Sequence, residues 1–245
     1  MKILLLQARY EDDPARAEEV ETFAAACGLA ADAFVAHDLL AGPPSRSQLA
    51  ATDVLMVGGS GDFYLSQGDL PNLDDTLAFL REVVASGYPT FASCFGYQCL
   101  VLALGGELVF DPENAEVGTF DLRPTPAAAD DELFGLLPSP FAAQLGHKDR
   151  ASRPPVGTVN LASSERCAHQ ALRVPGKPIW ATQFHPELDR KTNYGRFQRY
   201  LDGYAAELSP EELDRAHLRF RDSPDTALLL PRFLELVRGG ARNDV

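Results

Sequence analysis

Cys94 stands between a short apolar run and a helical one, in Thr90-Phe91-Ala92-Ser93-Cys94-Phe95-Gly96-Tyr97-Gln98. A thiol at a strand-to-helix junction is placed to act as a nucleophile. The sharp turn lifts the side chain clear of a sheet, and the helix N-terminus supplies partial positive charge that favours a thiolate. Far downstream, Gln183-Phe184-His185-Pro186-Glu187 offers a base and a carboxylate. Residues 179–184 read as a strand, whose alternate side chains share a face. His185 and Glu187, two apart at its end, then lie together, with the carboxylate able to orient the imidazole. Pro186 has no N–H for a ladder and sets the pair at the strand terminus. Nucleophile, base and orienting acid are the three parts of triad chemistry. Alone, Cys94 reads as a buried structural thiol and His185 as a satisfied core histidine. Together the two motifs support a catalytic reading.

The elements around these residues must bring them to one place. Apolar residues 2–7 predict a strand, and residues 13–27 a helix that Gly28 can close. Residues 32–37 predict the next strand, followed by a Pro/Gly/Ser-rich loop at 41–47. Residues 53–57 make a third strand, and residues 73–86 a helix with Leu77, Leu80 and Val84 on one side. Strand 90–93 then runs into helix 98–104. Such alternation predicts an α/β fold, a doubly wound, mostly parallel sheet flanked by helices. Ligands on such sheets bind beyond the C-terminal strand ends, and Gly58, Cys94 and His185 each follow a strand. After Gly105-Gly106 the pattern changes. Short strands at 107–110, 118–123, 142–146, 159–162 and 168–174 predict a small antiparallel β insertion. Helices at 193–208, from a capping box at Ser209 and Glu212, and at 225–238 complete the chain. This organisation predicts one domain over residues 1–208, with residues 209–245 a C-terminal helical extension packed on it.

Composition narrows the partners. The 245 residues are 45% hydrophobic and 23% charged, ordinary for a globular protein. With 22 basic against 35 acidic residues the net charge is −13, which repels phosphate backbones and anionic lipid. The expectation is no nucleic acid and no membrane. The opening apolar run is too short for a signal segment, and no stretch has the length of a membrane span. Cys27, Cys94, Cys99 and Cys167 form no Cys-x-x-Cys pair, which points to a reducing, cytoplasmic setting. The histidines show no metal-ligand spacing with them, so no metal and no cofactor are expected.

Three motifs in order resemble the class I, triad-type glutamine amidotransferases. They are Gly58-Gly59 after the third strand, Cys94-x-Gly96-x-Gln98, and His185-Pro186-Glu187. The resemblance spans roughly residues 1–190 and is nearest to free-standing members similar to the amidotransferase domain of GMP synthetase, and to the plant γ-glutamyl peptidases. It implies hydrolysis of the glutamine side-chain amide through a thioester on Cys94, with His185 and Glu187 completing the triad. It implies an oxyanion site from the N–H groups of Gly59 and Phe95, and substrate contacts from Gly58 and Gln98. Gly146-His147-Lys148-Asp149 resembles a His-x-Asp loop near the glutamine site, which makes His147 and Asp149 pocket residues; by composition alone the same loop reads as an exposed polar turn. Two departures stand out: Ala92 where the family often has glycine, and Ser60-Gly61-Asp62 where it commonly has proline. The chain carries no Gly-x4-Gly-Lys-Ser/Thr nucleotide loop, so an ammonia acceptor would be a separate synthase chain. Two alternatives remain: a γ-glutamyl peptidase using the same triad, and a non-enzymatic chaperone-like or regulatory protein, for which an oriented base would have no use.

Overall fold

The computed structural model describes residues 1–240. Strand β1 (Ile3–Ala8) is buried along its whole length, as a parallel strand covered on both faces must be. Helix α1 (Ala15–Cys27) ends where expected, with Gly28 in the left-handed conformation at φ 64°. Then come β2 (Phe34–Asp38), the short α2 (Arg46–Ala50) and β3 (Val54–Ser60). Helix α2, which the sequence did not mark, begins at the end of the loop predicted at 41–47, started by a reciprocal Ser45–Gln48 capping box. Helix α3 (Leu73–Ser86) and β4 (Thr90–Ser93) match their predicted bounds, and α4 (Phe95–Ala103) begins directly after Cys94.

The next strands are β5 (Glu107–Phe110), β6 (Glu116–Pro124), β7 (Phe141–His147), β8 (Asp149–Arg153), β9 (Val159–Ser163), β10 (Ala171–Arg173) and β11 (Ile179–Thr182). Sequence periodicity did not mark β8. Its alternating burial starts from a charged residue, Asp149, which turns inward while Arg150 is partly exposed. The predicted helix at 193–208 is two helices, α5 (Arg190–Arg199) and α6 (Leu201–Glu207), broken at Tyr200. At that break the Tyr200 hydroxyl bonds with Arg9 and Asp13. Helices α7 (Pro210–Leu218) and α8 (Leu229–Gly240) close the described chain.

The main sheet has nine strands in the order β2-β1-β3-β4-β11-β10-β9-β6-β7. From β2 to β11 the neighbours are parallel, and from β11 to β7 antiparallel. The antiparallel strands therefore extend the same sheet, while β5 and β8 pair apart from it. Alternation along β1 splits the core. Ile3 and Leu5 face a cluster with Phe23, Phe91, Trp180 and Phe233, and Leu4 and Leu6 face one with Leu80, Leu100 and Val101. Among the described residues no helix is long and apolar enough to cross a membrane.

Candidate active site

Cys94 takes φ 50° and ψ −101°, a positive φ that few non-glycine residues adopt and that a functional turn can hold under strain. Its N–H donates to the Thr182 carbonyl at 2.7 Å, tying the elbow to β11, and its carbonyl accepts the Gln98 N–H at 3.1 Å. Gly96 is required two residues on: a Cβ there would sit 2.6 Å from the Val57 oxygen. The Cys94 side chain is nearly covered, at 7% exposure.

The base arrives from β11. The His185 N–H donates to the Gln144 carbonyl at 2.8 Å, and its ring Nδ1 lies 2.6 Å from Glu187 Oε1. The other ring nitrogen is not taken by Glu187, and His185 and Cys94 line the same cavity. Burial works to lower the His185 pKa, but the charges of Glu187 and Cys94 outweigh it and push it up to about 10. The ring therefore carries a proton at neutral pH. His185 thus contacts Glu187 and shares a cavity with Cys94.

The Gly-Gly loop is placed less simply. Phe95 opens α4, where an N–H has no partner within the helix. The Gly59 N–H instead donates to Glu19 Oε1 at 3.0 Å, although the Gly59 Cα adjoins the base; a Cβ on it would lie 3.2 Å from His185 Cε1. Glu19 is fully buried on α1 and held by Arg9 Nη2 at 3.1 Å and Gln7 Nε2 at 3.0 Å. Burial acts to raise the Glu19 pKa, but the Arg9 charge prevails and the carboxyl stays below its ordinary range. Gly58 makes room for that carboxylate rather than lining the cavity: a Cβ there would come within 2.8 Å of Glu19. The sequence marks Glu19 only as half of a Glu-Glu pair on a helix.

A cavity of about 420 Å³ opens over Cys94, between the Gly loop, the β7–β8 turn and the α5–α6 helices. His147 and Asp149 line it, and both are buried, so the exposed-turn reading is set aside. Their polar atoms are engaged within the protein. His147 bonds to Glu116 Oε2 and to the Asp149 carbonyl, each at 3.0 Å, while the Asp149 carboxylate takes the Ser66 N–H at 2.9 Å and its hydroxyl at 2.6 Å. Gln98 Nε2 donates to the Asp149 carbonyl at 3.0 Å and to Gln183 Oε1 at 3.3 Å. The wall also includes residues not assigned to the site from sequence, among them Lys148, Arg196 and Tyr204. Lys148 pairs with Glu207 and lies over the Tyr64 and Tyr204 rings. Lys148 belongs to the Gly146–Asp149 loop, while Arg196 and Tyr204 follow the His motif as one basic and one aromatic residue with no spacing signal. Among the described residues no group of three His, Cys, Asp or Glu side chains is arranged to hold a metal ion.

Comparison with known proteins places this geometry. The family model for glutamine amidotransferase class-I matches residues 38–198. A glutamine-hydrolyzing GMP synthase subunit from Methanocaldococcus jannaschii is 36% identical over 125 residues, 51% of this chain and 64% of that protein. The glutamine-hydrolyzing GMP synthase of Streptococcus pneumoniae strain CGSP14 is 34% identical over 116 residues, 46% of this chain and 21% of the other. The chain thus matches less than two thirds of the length of either relative. A glutamine amidotransferase structure from Thermotoga maritima superposes with a TM-score of 0.68 at 18% identity, covering 97% of both chains. One from Methylobacillus flagellatus superposes with 0.66 at 23% identity, covering 97% of this chain and 90% of its own. Those likenesses are of fold, and the family match, which spans both Cys94 and His185, settles the rest: the chain belongs to the class I glutamine amidotransferases.

Proposed function

We propose that the protein hydrolyses the side-chain amide of glutamine on Cys94 and supplies the ammonia to a separate acceptor chain. The observation that carries this reading is the 2.6 Å contact of His185 with Glu187, with His185 and the strained Cys94 elbow lining one cavity. The Cys94 thiolate attacks the amide carbon and a C–S bond forms. The charge gathering on the carbonyl oxygen is met by the Phe95 N–H, and by that of Gly59 once its peptide turns from Glu19. Collapse expels ammonia, which takes its proton from His185. Water then gives a proton to His185 and attacks the thioester; the C–S bond breaks, and glutamate leaves with the thiolate restored. Gly58, Gln98, His147 and Asp149 shape the glutamine site, the last three as its wall and Gly58 by admitting Glu19 behind the loop. The names of the two relatives make a GMP-forming synthase a candidate acceptor. Four free cysteines, one the nucleophile, suit a reducing cytoplasm.

Ammonia release from glutamine by the purified chain, with Cys94→Ala as control, tests this. No release above the control, alone or with a candidate synthase, would end the glutaminase reading. The cavity volume favours one second reading. About 420 Å³ is within the range of drug-sized ligand sites and exceeds what the ten heavy atoms of glutamine fill. A γ-glutamyl peptide would fit, with an amine leaving in place of ammonia. Higher kcat/KM on a γ-glutamyl dipeptide than on glutamine, without any partner, would make the chain a γ-glutamyl peptidase.

A further inference from the structure

The Gln183 side chain has no part in hydrolysis as performed by Cys94, His185 and Glu187, yet it touches the nucleophile. Its Nε2 lies 3.7 Å from Cys94 Sγ, within reach for an N–H···S bond, and the residue is 0% exposed. The partners determine which end of the amide faces the sulfur. The Asp149 carbonyl only accepts, so the Gln98 atom 3.0 Å from it is the NH2 group. The Gln183 atom 3.3 Å from that NH2 must then be its oxygen. This leaves the Gln183 NH2 aimed at Cys94. A buried donor gains little from a neutral thiol, which accepts weakly, and considerably more from a thiolate.

We propose that Gln183 is a further catalytic residue, whose amide donates to the Cys94 thiolate and stabilises its charge. The stabilisation acts in the resting enzyme and again when the thioester C–S bond breaks and the sulfur recovers its electron pair. Gln98 thereby serves two ends, lining the glutamine cavity and holding the Gln183 amide in register. The proposal rests on the reading of Cys94 as the nucleophile of γ-glutamyl amide hydrolysis.

The charged and titratable groups facing Cys94 come from several elements. His185 and Glu187 follow β11, Arg196 lies on α5, and Tyr204 and Glu207 lie on α6. Arg9 follows β1, Asp62 and Tyr64 follow β3, His147 ends β7, Lys148 is the turn and Asp149 opens β8, while Arg199, Tyr200 and Asp202 lie around the α5–α6 break. The Gln183 side chain bonds to Gln98 and Cys94 and to none of these groups, so substituting it removes none of their charges.

Alkylation of Cys94 by iodoacetamide, followed against pH, measures the thiolate. Gln183→Met keeps the bulk and removes the donor. Its alkylation midpoint should rise by about one pH unit, a roughly tenfold slower reaction below the midpoint, as loss of a charge-assisted hydrogen bond predicts. On glutamine kcat should fall while KM stays near the wild-type value. Gln183→Glu keeps the shape, places a carboxyl at the sulfur, and should raise the midpoint further. A folded Gln183→Met protein with an unmoved midpoint and a raised KM would reduce Gln183 to a strut for Gln98 and overturn the proposal. In the wild-type protein, the Gln183 side-chain amide proton should shift in NMR spectra across the pH range in which Cys94 becomes reactive. A resonance flat through that range overturns the proposal even where neither variant folds. Wild-type protein that alkylates readily but cleaves no γ-glutamyl amide would refute the hydrolase reading instead, with the Gln183 contact intact.

Discussion

At the scale of single residues, access to the cavity separates one cysteine from the rest. Burial pushes the Cys27 and Cys167 thiols up to about 12 each, and the Cys99 thiol is raised as well. Only Cys94 lines the cavity. In the native protein iodoacetamide should label Cys94 well ahead of the other three, and Cys94→Ala should remove hydrolysis while keeping the fold; equal labelling, read by peptide mass spectrometry, would refute the nucleophile. Glu187 acts through His185, so Glu187→Gln should retain part of the activity and His185→Ala almost none. Steady-state rates on glutamine would show the order reversed if the roles are wrong. The pair also carries a pH signature. The His185 pKa of about 10 in the folded chain lies above the unfolded value of about 6.5. Its stabilisation is therefore complete below about pH 6.5 and is lost as pH rises through about 10. The denaturation midpoint of the wild type should fall across that window, and a difference curve against His185→Ala should isolate the fall.

At the scale of elements, the elbow depends on how closely α4 approaches β3. Gly96 faces the Val57 oxygen at 2.6 Å and the Val57 Cβ at 2.7 Å from where its own Cβ would be, and the backbone cannot yield cheaply. Gly96→Ala should cost about 1–3 kcal/mol by overpacking and displace Cys94 enough to reduce kcat far more than stability alone explains. Urea unfolding beside kinetics decides it: full activity at wild-type stability would mean the elbow has slack. Ala92 is fully buried in β4, and the same Cβ on residue 96 would lie 3.0 Å from the Ala92 methyl.

At the scale of the whole molecule, the C-terminal helices are part of the core. Leu229, Leu230, Phe233 and Leu234 of α8 are buried in the cluster that holds Phe91 and Trp180, with the Phe233 ring tilted against Phe91 at 5.5 Å and edge-on to Trp180 at 6.0 Å. We propose that residues 209–245 fold only on the domain formed by 1–208; residues 241–245 lie outside those described. Exposing four such side chains forfeits roughly 6–12 kcal/mol, as much as a domain's net stability. A chain ending at residue 208 should aggregate or lose cooperative unfolding in calorimetry. A sharp transition near the full-length temperature would show that the extension is dispensable.

Much of this was legible in the chain itself, because it depends on spacing. The apolar runs and helical periods yield β1, α3, β4 and α4. The Cys94-x-Gly96-x-Gln98 and His185-Pro186-Glu187 spacings place a thiol and a histidine–carboxylate pair at strand ends. Each is a property of neighbouring residues, and neighbours share a backbone geometry whatever surrounds them. The tertiary structure alone decided that the Gly59 N–H faces Glu19, that His147 and Asp149 are buried with their polar atoms engaged, that Gln183 points at the sulfur, and that α8 completes the core. Those contacts join residues far apart in the chain. A hydrogen bond or a buried face is assigned only when folding chooses which partners meet, and no local pattern carries that choice.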